Sequence, residues 1–211
     1  MIEQLIAISI YFLQDKEIIK EILDFQKNEN ENIDSIMRSE KFACKEGCYY
    51  CCIGWDVKGT IPEMMLVVNS LNRLNDDEKF EIAKRLEKFK QIKNFDDVPC
   101  PLLDNGNCIV YESRPFICRT FSSYDENLCK NKISFEFPEV VQKAVEYSKE
   151  SIDKLDDFFK PLFNTKIRLS DILFNKEKRL FYINIADTAL IYLNDGNVEV
   201  LKGEYAKKYL K

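Results

Sequence analysis

The chain has 211 residues, of which 45% are hydrophobic and 32% charged, with eight cysteines, no histidine and a formal net charge of -5. That length and apolar content suit one folded domain, or one domain with an appendage, with a core large enough to stand without disulfides. Acidic and basic residues are interleaved with no basic stripe, which excludes nucleic acid as an expected partner, and the lack of histidine excludes any Ser-His-Asp or Cys-His catalytic arrangement.

Met1 to Leu13 is apolar, but it carries Glu3 where a signal peptide would carry Lys or Arg. It is also too short to span a bilayer. It reads as a core helix, and the chain as cytoplasmic, with no membrane partner. Ile18, Ile19, Ile22, Leu23 and Phe25 continue the helical spacing, as one bent helix or two short ones. The alternating Asn and Glu from Asn28 to Asn32 predict a break, and Ile33, Ile36 and Met37 a further short helix. Ile53, Trp55 and Val57 alternate with polar residues and predict a strand ended by Gly59.

Thr60-Ile61-Pro62-Glu63 predicts a capping box with Pro near the helix start, opening a helix with Met64, Val67, Val68 and Leu71 on one face. Asn75-Asp76-Asp77 punctuates before a second helix carrying Ile82, Leu86, Phe89 and Ile92. The prolines at Pro99 and Pro101 exclude helix interior. Asp104 to Asn107 predicts a turn between Leu102-Leu103 and Cys108-Ile109-Val110, and Arg114-Pro115 opens a helical turn carrying Cys118. Pro138 starts a long helix with Val141, Val145, Ile152, Leu155 and Phe159 on its buried side. Leu180–Ile185, Ala189–Leu193 and Val198–Leu201 read as strands, with a turn at Asn194 to Asn197. The expected fold is α+β: mainly helical, with a cysteine-rich metal-binding core and a small C-terminal antiparallel strand meander. Residues 1–160 form the helical domain containing the cysteine region, 44–129, and residues 161–211 the meander packed on it.

Cys44, Cys48, Cys51 and Cys52 fall within nine residues, and Cys100, Cys108, Cys118 and Cys129 follow. Two plainer explanations compete with metal binding: small buried core residues, Cys129 first among them, and a disulfide framework. The first four thiols are too close in sequence to staple a large fold, and a reducing compartment disfavours disulfides. Thiolates are soft ligands that favour zinc, Cu(I) and iron–sulfur centres. In an extended segment the adjacent Cys51 and Cys52 would point to opposite faces, which suits two metals or two edges of one cluster. Eight thiols fill two four-ligand zinc sites, while four hold a [4Fe–4S] cluster and leave the rest for a second centre. Spacing does not choose between an iron–sulfur cluster and zinc.

Cys44-x3-Cys48-x2-Cys51-Cys52 resembles the signature of the zinc- or iron-chelating domain of YkgJ-like cysteine-cluster proteins. Pro99-Cys100-Pro101-Leu102-Leu103, Cys108-Ile109-Val110-Tyr111 and Arg114-Pro115-Phe116-Ile117-Cys118-Arg119 resemble further elements of that family in order. The resemblance covers about Cys44 to Cys129. It implies Cys44, Cys48, Cys51, Cys52, Cys100, Cys108 and Cys118 as metal ligands, with Cys129 less secure. It extends distantly to flagellin lysine-N-methylase, a protein associated with an iron–sulfur centre and S-adenosylmethionine. Cys44-x3-Cys48-x-Tyr50-Cys51 also fits the three-cysteine motif of radical S-adenosylmethionine enzymes, although no run of β-α units follows it.

The expected function is therefore metal binding through cysteine thiolates. The alternative is a cluster-dependent enzyme using S-adenosylmethionine, such as a protein lysine methyltransferase. Arg114 and Arg119 flank Cys118 and are expected to brace its loop by pairing with Glu112 or Asp125, the alternative being bonds to sulfur or to an anionic substrate. Tyr49, Tyr50, Tyr111 and Tyr124 are expected to shield the metal from water, and Trp55 to be core.

Overall fold

Helix-start chemistry organises the chain. The computed structural model describes residues 16–133, 136–156 and 159–183, and the backbone of 190–194 and 197–201. The helices are α1 (Lys16–Met37), α2 (Ile61–Leu71), α3 (Asp76–Lys90), α4 (Phe116–Thr120), α5 (Glu126–Lys130), α6 (Glu139–Asp153) and α7 (Lys160–Asn164). The strands are β1 (Lys58–Thr60), β2 (Leu103–Asp104), β3 (Asn107–Cys108), β4 (Lys166–Arg168), β5 (Ile172–Asn175), β6 (Leu180–Ile183), β7 (Leu190–Asn194) and β8 (Asn197–Leu201). The fold is α+β and mainly helical, as its patterning predicts.

α2 and α3 both open on a reciprocal capping box. Thr60 Oγ1 accepts from Glu63 N while Glu63 Oε2 accepts from Thr60 N, and Asn75 and Glu78 repeat the exchange. Each box satisfies two amides that a helix start leaves without partners. Ile61, Met64, Val67 and Leu71 of α2 are almost wholly buried, and α3 adds Ile82 and Leu86 to the same core. Phe25 of α1 meets Phe163 of α7 edge to face at 5.1 Å.

The Asn-rich run does not break α1. Ile22, Gln26, Asn30, Ile33 and Met37 recur at helical spacing along its buried stripe. Gln26 Nε2 donates to Asn30 Oδ1 at 3.1 Å, Asn32 Nδ2 donates to the Tyr147 hydroxyl at 2.7 Å, and that hydroxyl donates to Glu29 Oε1 at 3.2 Å. Tertiary partners on α6 thus overrule the weak helix propensity of the run. Ile33, Met37, Val140, Val141 and Ala144 form a second, smaller core between α1 and α6. Pro138 caps α6 as expected, but the helix stops at Asp153, before Leu155 and Phe159.

The strand expected at Ile53 to Val57 is displaced. Ile53 makes an isolated antiparallel bridge to Pro99, and the strand begins at Lys58 with Gly59 inside it. β1 pairs antiparallel with β4, from Lys58↔Arg168 to Thr60↔Lys166. Space at Gly59 is tight: a Cβ there would lie 3.0 Å from Met64 Cε and 3.4 Å from Glu63 Oε2, so a larger residue would push the Met64 side chain aside. The turn at Asp104 to Asn107 closes a hairpin of β2 and β3, with Leu103 opposite Cys108. Ile109 and Val110 lie beyond its strands.

β6, β7 and β8 occur at the expected C-terminal positions, in two antiparallel hairpins: β5 with β6, and β7 with β8. β5 is an element the sequence reading lacked. Asn72, just past α2, clamps β6 by accepting from Phe181 N at 2.8 Å and donating to Phe181 O at 3.0 Å. The expected N-terminal helix at Met1 to Leu13 and the turn residues Asp195 and Gly196 lie outside the described residues. Among the described residues no helix is long and apolar enough to cross a membrane.

Leu71 is fully buried where α2 meets the rest of the core. Leu71→Ala is expected to lower unfolding stability by about 2–5 kcal/mol, read as a reduced denaturant midpoint at unchanged slope.

Candidate metal centre

Backbone hydrogen bonds join the two cysteine-bearing segments directly. Cys100 N donates to Cys52 O at 2.7 Å, and Gly54 N to Val98 O at 2.9 Å. Ala43 N donates to Ser123 O at 3.0 Å on the other side, beside Cys44. Trp55, expected as plain core, donates from its indole Nε1 to Cys51 O at 2.6 Å and so braces the turn carrying the adjacent cysteines. That turn, Tyr50–Cys52, is a single 3-10 turn and not an extended segment. Successive side chains there diverge by about 120° and not by 180°. Cys51 and Cys52 therefore sit close enough to hydrogen-bond, and both line the same cavity. The expectation that they face opposite ways does not hold.

The cavity has a volume of about 540 Å³. Cys44, Cys48, Cys51, Cys52, Cys100, Cys108 and Cys118 all line it. Cys129 sits apart, on a neighbouring groove that shares Cys51 with the main cavity. All eight cysteines are free thiols. Cys51 is the electrostatic neighbour of Cys48, Cys100, Cys108, Cys118 and Cys129. Two groups meet at it. Cys100, Cys108 and Cys118 form the inner one, and Cys44, Cys48 and Cys129 the outer one. Among the described residues no three Cys, Asp or Glu side chains converge on a position for a single metal ion. The thiols surround a space and do not close on one point.

Burial pushes the Cys100 thiol up to about 12 and raises Cys108 and Cys118 as well. Cys51 is raised first by its hydrogen bond with Cys52 and then by burial. Cys48 and Cys129 are raised by burial and by neighbouring thiols. Such thiols are held protonated at neutral pH. A bound cation reverses this, because a coordinating thiol gives up its proton.

The cavity wall is braced by polar groups that sequence spacing does not reveal. Arg119, 5% exposed, pairs with Asp34 Oδ2 of α1 at 2.5 Å, donates from Nε to Arg114 O at 3.0 Å, and donates to Glu112 O. The bracing role is as expected, but the carboxylate comes from Asp34, not from Glu112 or Asp125. Asp125 instead caps α5. Arg114 stacks over Tyr111 at 3.8 Å, donates to Tyr111 O at 2.7 Å, and lies near the Cys51 and Cys108 thiols. Glu63 accepts from Phe116 N at 2.6 Å. Ser123 N donates to Cys44 Sγ at 3.4 Å, and its hydroxyl donates to Asp125 O at 2.9 Å. Of the tyrosines, Tyr111 lines the cavity and Tyr50 the neighbouring groove. Tyr124 is 56% exposed, stacks on Phe42 and lines neither of them.

Two outcomes follow. Asp34→Ala leaves a buried guanidinium short of its counter-charge and is expected to cost about 3 kcal/mol in unfolding stability. The raised Cys100 thiol gives the metal-free protein stability that is fully present below the unfolded thiol value of about 8.5 and is lost as pH rises towards about 12. The unfolding midpoint of metal-free protein should thus fall between about pH 8.5 and 10.5, and Cys100→Ala should flatten that fall.

Residues 43–151 match the model of the CxxCxxCC family, whose description is "Putative zinc- or iron-chelating domain". No curated protein matches the chain, and no solved structure does. The family match covers more than half of the chain and all eight cysteines, the seven around the cavity among them. The chain belongs to the CxxCxxCC family.

Proposed function

We propose that this protein holds metal in the cysteine-lined cavity as an all-thiolate complex, with an iron–sulfur cluster as the preferred occupant and zinc as the alternative. The observation that carries the reading is seven free thiols from two segments of chain lining one cavity, with Cys51 beside both thiol groups. The donors would be drawn from Cys44, Cys48, Cys51, Cys52, Cys100, Cys108 and Cys118, with Cys129 at the edge. Free thiols in this number are suited to a reducing, cytoplasmic setting.

The donor chemistry fits either metal. Histidine is absent, so the mixed Cys/His sites that zinc often uses are not available. One tetrahedral ion needs four sulfurs at about 2.3 Å, leaving several of the gathered thiols unused. A polynuclear centre uses more of the lining. The bound group would supply positive charge to balance the thiolates, while the chain fixes their positions through the Cys52–Cys100 backbone bond and the Arg119 contacts. The family similarity supports chelation of zinc or iron.

The test is expression and purification without oxygen, with iron and sulfide available. A brown protein with labile sulfide in proportion to iron is expected. Colourless protein that retains zinc under those conditions would contradict the cluster, and protein that retains no metal would contradict the whole reading. Serine substitution ranks the donors: Cys51→Ser should lower metal content most and Cys129→Ser least, as measured by metal analysis per chain. Equal content in both variants would contradict the placing of Cys51 at the centre.

A further inference from the structure

We infer that Glu63 is a positioning residue for Cys118, and not merely the cap of its own helix. The inference rests on the proposed metal-binding function for the meaning of Cys118 as a ligand. The sequence accounts for half of what Glu63 does. Its Oε2 accepts from Thr60 N at 2.6 Å and Thr60 Oγ1 at 2.7 Å, which is the local capping exchange. Its Oε1 accepts from Phe116 N at 2.6 Å, a residue 53 positions away. The carboxylate is buried, with Glu63 only 4% exposed, and Lys166 Nζ approaches Oε2 at 3.8 Å from β4.

Phe116 is the first residue of α4, and Cys118 lies two residues further on. α4 has five residues, too few to hold itself by helix propagation. Pro115 precedes it and has no N–H to give. Cys118 N and Arg119 N both donate back to Pro115 O, so their bonds stay within the same short turn. The bond from Phe116 N to Glu63 ties the start of that turn to α2, an element anchored in the main core against which Ile117 also packs. Arg119 ties the other end of the turn to α1. Between the two ties, the Cys118 thiol is held facing the cavity. A carboxylate suits this post because it accepts at both oxygens. A glutamine offers one acceptor and turns an NH2 group towards the Phe116 or Thr60 amide.

The test uses reduced, metal-free full-length protein, with alkylation of each cysteine by iodoacetamide followed by mass spectrometry. Glu63→Gln is expected to raise the Cys118 alkylation rate relative to Cys100 about tenfold, as the loss of a charge-assisted bond lets the turn open locally. Thr60→Val removes the hydroxyl partner and the α2 cap but leaves the Phe116 bond, so it should leave that ratio unchanged. An unchanged ratio in Glu63→Gln, or an equal rise in Thr60→Val, would overturn the assignment. Far-ultraviolet circular dichroism checks that both variants fold. As a second readout, Co(II) is titrated into wild type and variants. The sulfur-to-cobalt charge-transfer band should weaken alike in Glu63→Gln and Cys118→Ser, and not in Thr60→Val. A wild-type chain that takes up no metal would contradict the function on which the inference rests, while the alkylation ratio still judges the role of Glu63.

Discussion

Burial lowers the Arg119 pKa while the bond and charge of Asp34 hold it up, so its partners have to stand where they do. Asp34 comes from α1, and the carbonyls of Glu112 and Arg114 come from the loop that leads into the Cys118 turn. One side chain therefore fixes three pieces of backbone that have no sheet between them. The cysteine cavity needs such fixing because most of its wall is irregular: a 3-10 turn, a two-residue hairpin and a five-residue helix. The longer regular elements contribute Asp34 and Met37 of α1 and Val67 of α2 to the lining.

The same logic explains why the second cysteine segment does not hang on its sulfurs alone. Three prolines interrupt Val98 to Cys118, and its internal hydrogen bonds stay within short turns and the β2–β3 hairpin. The structure answers with bonds to outside groups: Cys100 N to Cys52 O, Phe116 N to Glu63, and Arg85 of α3 to Leu103 O at 3.0 Å. Buried polar groups satisfied in this way specify one arrangement of the loop. Thiols can then be gathered before any metal arrives, which lowers the ordering cost that binding must otherwise overcome.

Local chemistry was legible in the sequence. The capping box at Thr60, the helix break at Asn75, the turn at Asp104 to Asn107 and the helical turn after Pro115 all appear where residue type and spacing place them. What could not be read were choices made by partners far along the chain. Asn28 to Asn32 carries a break signal, and only Tyr147, more than a hundred residues later, turns it into helix. Arg119 had two acidic candidates nearby, and its partner proved to be Asp34, 85 positions back. Alternation at Ile53 to Val57 resembles a strand, but the bridge at Pro99 is single and the real strand needed β4 as its mate. For the site, the cysteines themselves were legible from spacing and family resemblance. The grouping around Cys51 was not, because it depends on a 3-10 turn and an indole bond that leave no periodic trace.

The central claim is that metal sits among sulfurs in this cavity and among nothing else. X-ray absorption at the edge of the bound metal, on protein purified without oxygen, tests it most directly. The account predicts a first coordination shell of sulfur alone, at about 2.3 Å for zinc, and a loss of that shell in Cys51→Ser. A shell of nitrogen or oxygen, or a sulfur shell unchanged by Cys51→Ser, would contradict it.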